Sequence, residues 1–380
     1  MRISIFGARG VPARWGGWDT IVTELAPRLV AAGHEVTLYT MPRYTGDDVG
    51  DEYLGVRVTR LPTRYGKFTE TVIHELLSSL VAMARPRQDV YYVLGCRTVW
   101  AYLPHRLLRR TVVFNTDGLD WQRRKWGPFA RTYLRANYWL ARHSSSFLVS
   151  DSRALQQLYR ARWGAESAFL TNGGDVREVR DPERHRAILA GYGVEPDHYY
   201  LQVCRIEPEN NADVVVREYT ASEASDPLLI VGGANYASDY LAQLEASAGP
   251  RVHLLGPIYE PEHIEALFLG AKAYIHGHEV GGTNPSLVTA MGCGRLVLAH
   301  DVPYNREVLD GNGLLWTKAP GSLRQCIAEV EADAENLQAQ AAVACRERIR
   351  TTYAWEKCAN DHDRFFRWLT GEVEDYADSF

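Results

Sequence analysis

No apolar run in the chain reaches the roughly 18 residues that a membrane-spanning helix requires. The opening MRISIFGARG enters a strand pattern at once, so neither a signal peptide nor a span is expected, and the expected compartment is the cytoplasm. Cysteine is sparse: six residues, Cys96, Cys204, Cys293, Cys326, Cys345 and Cys358, are scattered without a CxxC pair. That spacing speaks against a zinc site and against a disulfide framework, and leaves buried free thiols as the expectation. The GxGxxG fingerprint with a downstream ribose-binding acid is missing, which argues against a dinucleotide oxidoreductase. No carboxylate pair or ligand cluster points to a catalytic metal, and neither solenoid repeats nor low-complexity segments occur.

What is present is an ordinary globular composition, 46% apolar and 23% charged over 380 residues, too long for a single core and suited to two domains. The net charge of -5 conceals a split: residues 1 to 190 carry 28 Lys+Arg against 18 Asp+Glu, and residues 191 to 380 carry 14 against 29. An anionic acceptor or a membrane surface therefore belongs with the N-terminal half. The densest basic tract runs from Arg106 to Arg142, where arginines alternate with Trp121, Trp126, Phe129, Tyr133, Tyr138 and Trp139. Two readings fit it, a solvated helix face with its aromatic side in the core, or a surface in peripheral contact with a bilayer. Nucleic acid is not an expected partner, because no reader motif accompanies the charge.

Short β-rich runs alternate with helical patterns along the whole chain, the signature of parallel sheets with crossover helices. Strands are expected at Arg2 to Gly7, Glu35 to Thr40, Val56 to Leu61, Val90 to Leu94, Val112 to Asn115, Ser146 to Val149 and Ala168 to Thr171. A second set follows at Tyr199 to Cys204, Leu228 to Val231, Val252 to Leu255, Ala273 to His276, Leu296 to Ala299 and Gly313 to Trp316. The first helix is expected from Asp19 to Ala32, with Asp19 as N-cap, Gly33 as its C-terminal stop and a kink at Pro27. Residues Arg177 to Arg186 form a charged stretch of weak pattern, taken as the linker. The expected division is 1–176, 177–355, and a C-terminal segment 356–380 whose helix crosses back to the first domain.

Ligands of parallel sheets bind beyond the carboxyl ends of strands. Four such loops stand out. The first is GARGVPARWGGWDT, whose Gly16-Gly17 precede a helix and whose Arg9 and Arg14 favour an anionic ligand over a plain tight turn. The second, Asn115-Thr116-Asp117-Gly118-Leu119-Asp120-Trp121, offers Asp117 at a strand end, although an Asp-Gly pair also caps turns. The third, Cys204-Arg205-Ile206-Glu207-Pro208-Glu209-Asn210-Asn211, sets an arginine where it can grip phosphate oxygens or pair with Glu207 or Glu209. The fourth is HGHEVGGTNPSLVTAM: Gly281-Gly282-Thr283-Asn284 leads into Pro285, the preferred residue at a first helical position. Glycines that admit a close ligand, followed by a free helix N-terminus, make an anion site suited to a diphosphate.

Taken together these motifs resemble the retaining GT-B glycosyltransferases, and more narrowly the bacterial rhamnosyltransferases that assemble cell-surface polysaccharides and carry HGHxVGGTNPSL-like sequences. The resemblance covers nearly the whole chain. It implies two Rossmann-like, doubly wound parallel-sheet domains facing across a cleft, with the acceptor bound by the first and a nucleotide sugar by the second. As catalytic residues it implies Asp117, Arg205 and Glu279. The donor would be held by Gly16, Gly17, Arg205, Asn210, Gly256, Tyr259, Gly281, Gly282, Thr283, Asn284, Ser286 and Thr289, and the acceptor by Arg9, Arg14, Trp15, Trp18, Asp120 and Trp121.

The chain departs from the family pattern at three places. The lysine that follows the family's arginine is Asn210 here, and the two glutamates of its E-x7-E motif fall on Gly281 and Thr289, with Glu279 two residues before the first. One hydroxyl at Thr289 suits a deoxyribose, which leans toward dTDP-L-rhamnose as donor, with no metal or other cofactor and a glycan or lipid-linked acceptor. A GT-B sugar-nucleotide epimerase and a non-catalytic nucleotide-sugar-binding subunit are the alternative readings.

Overall fold

The computed structural model describes every residue except 14–15, 65, 67–68, 117, 125, 234–238, 375 and 377–380. The chain divides into two compact units. The first comprises Met1–Gln122, Trp126–Gly173 and Trp355–Phe380; the second comprises Arg123–Lys125 and Gly174–Ala354.

The first unit is built on eight strands: β1 (Arg2–Phe6), β2 (Glu35–Thr40), β3 (Glu52–Tyr53), β4 (Val56–Arg60), β5 (Val90–Leu94), β6 (Val112–Asn115), β7 (Phe147–Ser150) and β8 (Ala168–Phe169). Their order is β3-β4-β2-β1-β5-β6-β7-β8, and all neighbours are parallel except β3, which pairs antiparallel with β4. Seven of these strands follow the expected ones within two residues. The two-residue β3 is too short to leave a period in the sequence. Every residue of β5 is buried, as a central strand covered on both faces requires.

The first helix runs from Gly17 to Ala31, unbroken through Pro27. Its N-cap is Gly16, not the expected Asp19. Asp19 lies inside the first turn, buried, where its Oδ1 accepts the Arg9 N–H at 2.8 Å. The helix stops as expected at Gly33, whose φ of +90° suits glycine. There the His34 N–H reaches Leu29 O at 3.1 Å and the Gly33 N–H reaches Val30 O at 2.9 Å, the paired bonds of a Schellman motif. The last helix, Trp355–Thr370, packs in this unit's core, with Phe365 and Phe366 buried among Ile3, Ile5, Val36 and Leu38. His34 Nε2 lies 2.6 Å from Asp363 Oδ1, which ties the two ends of the unit together.

The second unit holds six parallel strands: β9 (Tyr200–Val203), β10 (Leu228–Val231), β11 (Val252–Gly256), β12 (Ala273–His276), β13 (Leu296–His300) and β14 (Leu314–Trp316). Their order, β11-β10-β9-β12-β13-β14, is the Rossmann sequence, with the winding direction reversing between β9 and β12. The stretch read as weakly patterned contains the helix Pro182–Gly191, started by Asp181, whose carboxylate accepts the N–H groups of Glu183 and Arg184. Short helices leave little periodicity when half their positions are charged and exposed. All six cysteines are buried and free. Among the described residues no helix is long and apolar enough to cross a membrane.

Candidate functional site

Reversal of winding between β9 and β12 leaves a crevice at their carboxyl ends, because the connections there leave in opposite directions. Arg205 follows β9 directly, and the Gly277 to Asn284 loop follows β12. Two of the four loops singled out in the sequence therefore flank one switch point.

The loop after β9 is held by its own amides. Asn210 is buried, and its Nδ2 donates to the Arg205 backbone oxygen at 2.7 Å. Asn211 donates to the Gly277 oxygen at 2.7 Å, and the Glu279 N–H reaches the Glu209 oxygen at 3.0 Å. The two loops are thereby laced to each other. A methyl at Gly277 would stand 2.2 Å from the Asn210 oxygen, so only glycine allows the approach. The guanidinium of Arg205 is one-third exposed and lies 3.3 Å from Glu207, the ion pair foreseen as its alternative role.

At the start of the helix Pro285–Gly292, Asn284 Oδ1 accepts both the Ser286 N–H, at 3.0 Å, and the Ser286 hydroxyl, at 2.8 Å. Tyr274 completes the chain by donating to Ser286 Oγ at 2.8 Å. Pro285 has no N–H and that of Ser286 is capped, so an anion drawn here meets the amides before the proline, or displaces the Asn284 side chain. Thr283 is buried and Thr289 is half-buried on the helix. Gly256 ends β11 with a φ of +72°, and Tyr259 beyond it is exposed.

Three histidines and a lysine share this edge of the sheet. His276 and His278 stack with ring centroids 4.6 Å apart. Burial pulls His276 down to about 3 and His278 well below its ordinary value, so both are neutral near pH 7. His276 Nε2, His278 Nδ1 and His300 Nδ1 are buried with no hydrogen-bond partner among the described residues. Glu279 is clasped by Lys318, and lies 3.2 Å from Arg124 and 3.4 Å from Asn211. Among the described residues no group of three His, Cys, Asp or Glu side chains is spaced to hold a metal ion.

In the first unit the described residues assigned to an acceptor stand in the segments that follow β1 and β6. Arg9 lies over the Tyr44 ring at 5.1 Å, and Trp18 lies beside Gly95 at the end of β5. Asp120 is buried and accepts from Arg97 Nε at 2.8 Å. Gly16 and Gly17 open the first helix, both exposed. Asp117, Arg14 and Trp15 lie outside the described residues.

Two family models match the chain: a "Glycosyl transferase 4-like domain" over residues 16–172 and "Glycosyl transferases group 1" over residues 197–333. The chain belongs to the GT-B glycosyltransferases. Solved structures agree on the fold. Sucrose-phosphate synthase of Thermosynechococcus elongatus matches with a TM-score of 0.80 at 19% identity, over 98% of this chain and 100% of that one. HepE of Anabaena, in complex with UDP-glucose, matches at 0.74 and 18% identity, over 96% and 99%. Trehalose-6-phosphate synthase OtsA matches at 0.73 and 10% identity, over 97% and 99%. No protein of curated function matches the chain in sequence.

Trp121, expected to meet an acceptor, is a core residue, 5% exposed and edge-on to Tyr138 at 4.4 Å and Trp163 at 5.4 Å. An aromatic beside a strand-end loop looks alike in sequence whether it points inward or outward. Asn210, taken as a donor contact, spends its side chain on holding Arg205. Lys318 and the His276–His278 stack escaped the sequence reading. Lys318 follows β14 as Arg205 follows β9, and the same strand-end rule would have found it.

Proposed function

We propose that this glycosyltransferase is a retaining enzyme that moves L-rhamnose from dTDP-L-rhamnose to a hydroxyl of a glycan or lipid-linked acceptor, in the cytoplasm and without a metal ion. The observation that carries the reading is the convergence of Arg205 and the Asn284–Pro285 helix entry on the β9/β12 switch point. A guanidinium and a helix N-terminus together supply the positive potential that a sugar diphosphate needs. That HepE was solved with UDP-glucose supports a nucleotide sugar as the ligand class.

As the glycosidic C–O bond breaks through an oxocarbenium-like transition state, negative charge grows on the departing phosphate oxygen. A preorganised donor aimed at that oxygen is commonly worth about 3 to 4 kcal/mol. Arg205 and the amides from Gly282 onward fill this role, and Glu279 faces the sugar. Attack comes from the face the diphosphate leaves, so the phosphate takes the acceptor proton while Asp117 orients the incoming hydroxyl. Thr289 holds the single ribose hydroxyl of a deoxynucleotide. A thermal-shift series with dTDP, UDP, GDP and ADP tests the donor, with the largest stabilisation expected for dTDP. Incubation of dTDP-rhamnose with and without acceptor tests the reaction: the glycoside is expected with it, and an epimerised nucleotide sugar without it would overturn the assignment.

A further inference from the structure

The helix Pro128–Ser144 carries large apolar side chains on two sides, and the core takes only one of them. Leu134, Tyr138 and Ala141 face inward and are buried. On the opposite side Phe129, Thr132, Ala136, Trp139 and His143 recur at spacings of three and four, and all five are exposed. Phe129 is 87% exposed and Trp139 is 52% exposed, the latter stacked on His143 at 4.4 Å. A helix needs only one apolar side to join its own domain.

This side continues onto the neighbouring segment. Trp100 Nε1 donates to Tyr133 Oη at 2.8 Å, the Val99 N–H to Asn137 Oδ1 at 2.9 Å, and Arg106 Nε to the Ser144 oxygen at 2.7 Å. Residues 99 to 106 thus run along the helix and deliver Leu107, 84% exposed, and Leu108, 53% exposed, near its C-terminal end. Arg109, Arg135 and Arg142 are exposed beside these apolar groups. From Arg97 to Thr116 and from Gly127 to Ser150 there is no Asp or Glu at all.

We propose that this face docks on an anionic lipid surface. Scattered exposed leucines are ordinary, but two aromatics and a leucine pair on arginine-rich segments that hold no Asp or Glu combine both attractions an interfacial element uses. The aromatics and leucines enter the headgroup boundary, and the arginines meet anionic headgroups while their stems cover apolar surface. A protein partner would be expected to leave some acidic residues in so large a face for pairing and register. The proposal stands on these observations alone and does not depend on the transferase reading.

Co-sedimentation of the full chain with vesicles tests it, using phosphatidylcholine alone and phosphatidylcholine mixed with phosphatidylglycerol. Binding is expected to the mixed vesicles only, and to weaken as salt is raised. Phe129→Ser combined with Trp139→Ser should reduce it by at least about tenfold, and Arg109→Glu combined with Arg135→Glu should abolish the preference for anionic lipid. Thermal melts of both variants check that the fold is kept, and Leu107→Ser with Leu108→Ser serves as a second apolar pair. Failure of the wild-type chain to bind mixed vesicles would overturn the proposal. So would undiminished binding by the folded variants, or a concentration-dependent dimer that the same substitutions dissolve.

Discussion

Asn284 Oδ1 sits 3.0 Å from the Ser286 nitrogen and so caps the helix whose N-terminus forms one wall of the β9/β12 crevice. An anion and the Asn284 side chain would thus compete for the same helix N–H. Replacing a capping asparagine by alanine costs about 1 kcal/mol. Asn284→Ala is therefore expected to lower the unfolding free energy read from chemical denaturation by about that amount. Unchanged stability would show that the cap does not contribute.

Removing the Arg205 guanidinium should act on ligand binding far more than on folding, because its side chain is one-third exposed at the end of a strand. Hydrogen bonds to charged groups are worth about 1.5 to 3 kcal/mol. Arg205→Met should accordingly weaken nucleoside diphosphate binding by roughly ten- to a hundredfold, with a smaller loss for the monophosphate. Calorimetric titration with both ligands reads the difference, and equal losses would place Arg205 away from the terminal phosphate.

Gly277→Ala is expected to be more damaging than either. The added methyl would meet the Asn210 oxygen at 2.2 Å and Gln202 Nε2 at 3.0 Å, and Asn210 is the residue that holds Arg205. Loss of nucleotide binding together with a lowered melting temperature is the predicted outcome. A variant that binds normally would mean the two loops separate without consequence.

Burial holds His74 and His362 down at about 4 and His276 at about 3, against about 6.5 in an unfolded chain. Below pH 6.5 the unfolded state therefore binds protons that the folded state refuses. The stability these neutral rings provide is complete above that value and is lost as the pH falls toward their folded values. A melting temperature that drops steeply below about pH 6.5 is expected, and differential scanning fluorimetry across pH 4 to 8 measures it.

Glu75 should behave in the opposite sense. It is buried on the helix Thr69–Ala84, and burial pushes its carboxyl up to about 7 despite the nearby Arg97. Its contribution is complete below the unfolded value near 4.5 and is lost as the pH rises through 7, about 3 kcal/mol in all. Glu75→Gln should then be more stable than the wild-type chain at pH 8 and indistinguishable from it at pH 4. A variant destabilised equally at both would show that the carboxylate makes a bond the amide cannot.

Much of the architecture was legible from local pattern. Thirteen strand positions follow from β-rich runs closed by turn residues, and only the two-residue β3 left no trace. The first helix showed its end more clearly than its beginning: Gly33 was readable because a positive φ selects glycine, whereas Asp19 resembled an N-cap and is instead a buried acceptor for two loop amides. Within the site, Arg205 and the Pro285 helix entry were legible since strand ends and helix starts carry recognisable residues. The buried fate of Trp121 was not, because it depends on the helices that set Tyr138 and Trp163 against it.

By itself the sequence determined that this chain alternates strands and helices, and that arginine, glycine and proline stand where such elements begin and end. Periodicity and capping are local properties, set within a turn or two of each residue. Only the tertiary structure decided that the loops after β9 and β12 meet, and that Phe129 and Trp139 face away from the core. Those outcomes depend on strand order and on which side of a helix is covered. Such contacts join residues tens of positions apart, and no window of the sequence contains both partners.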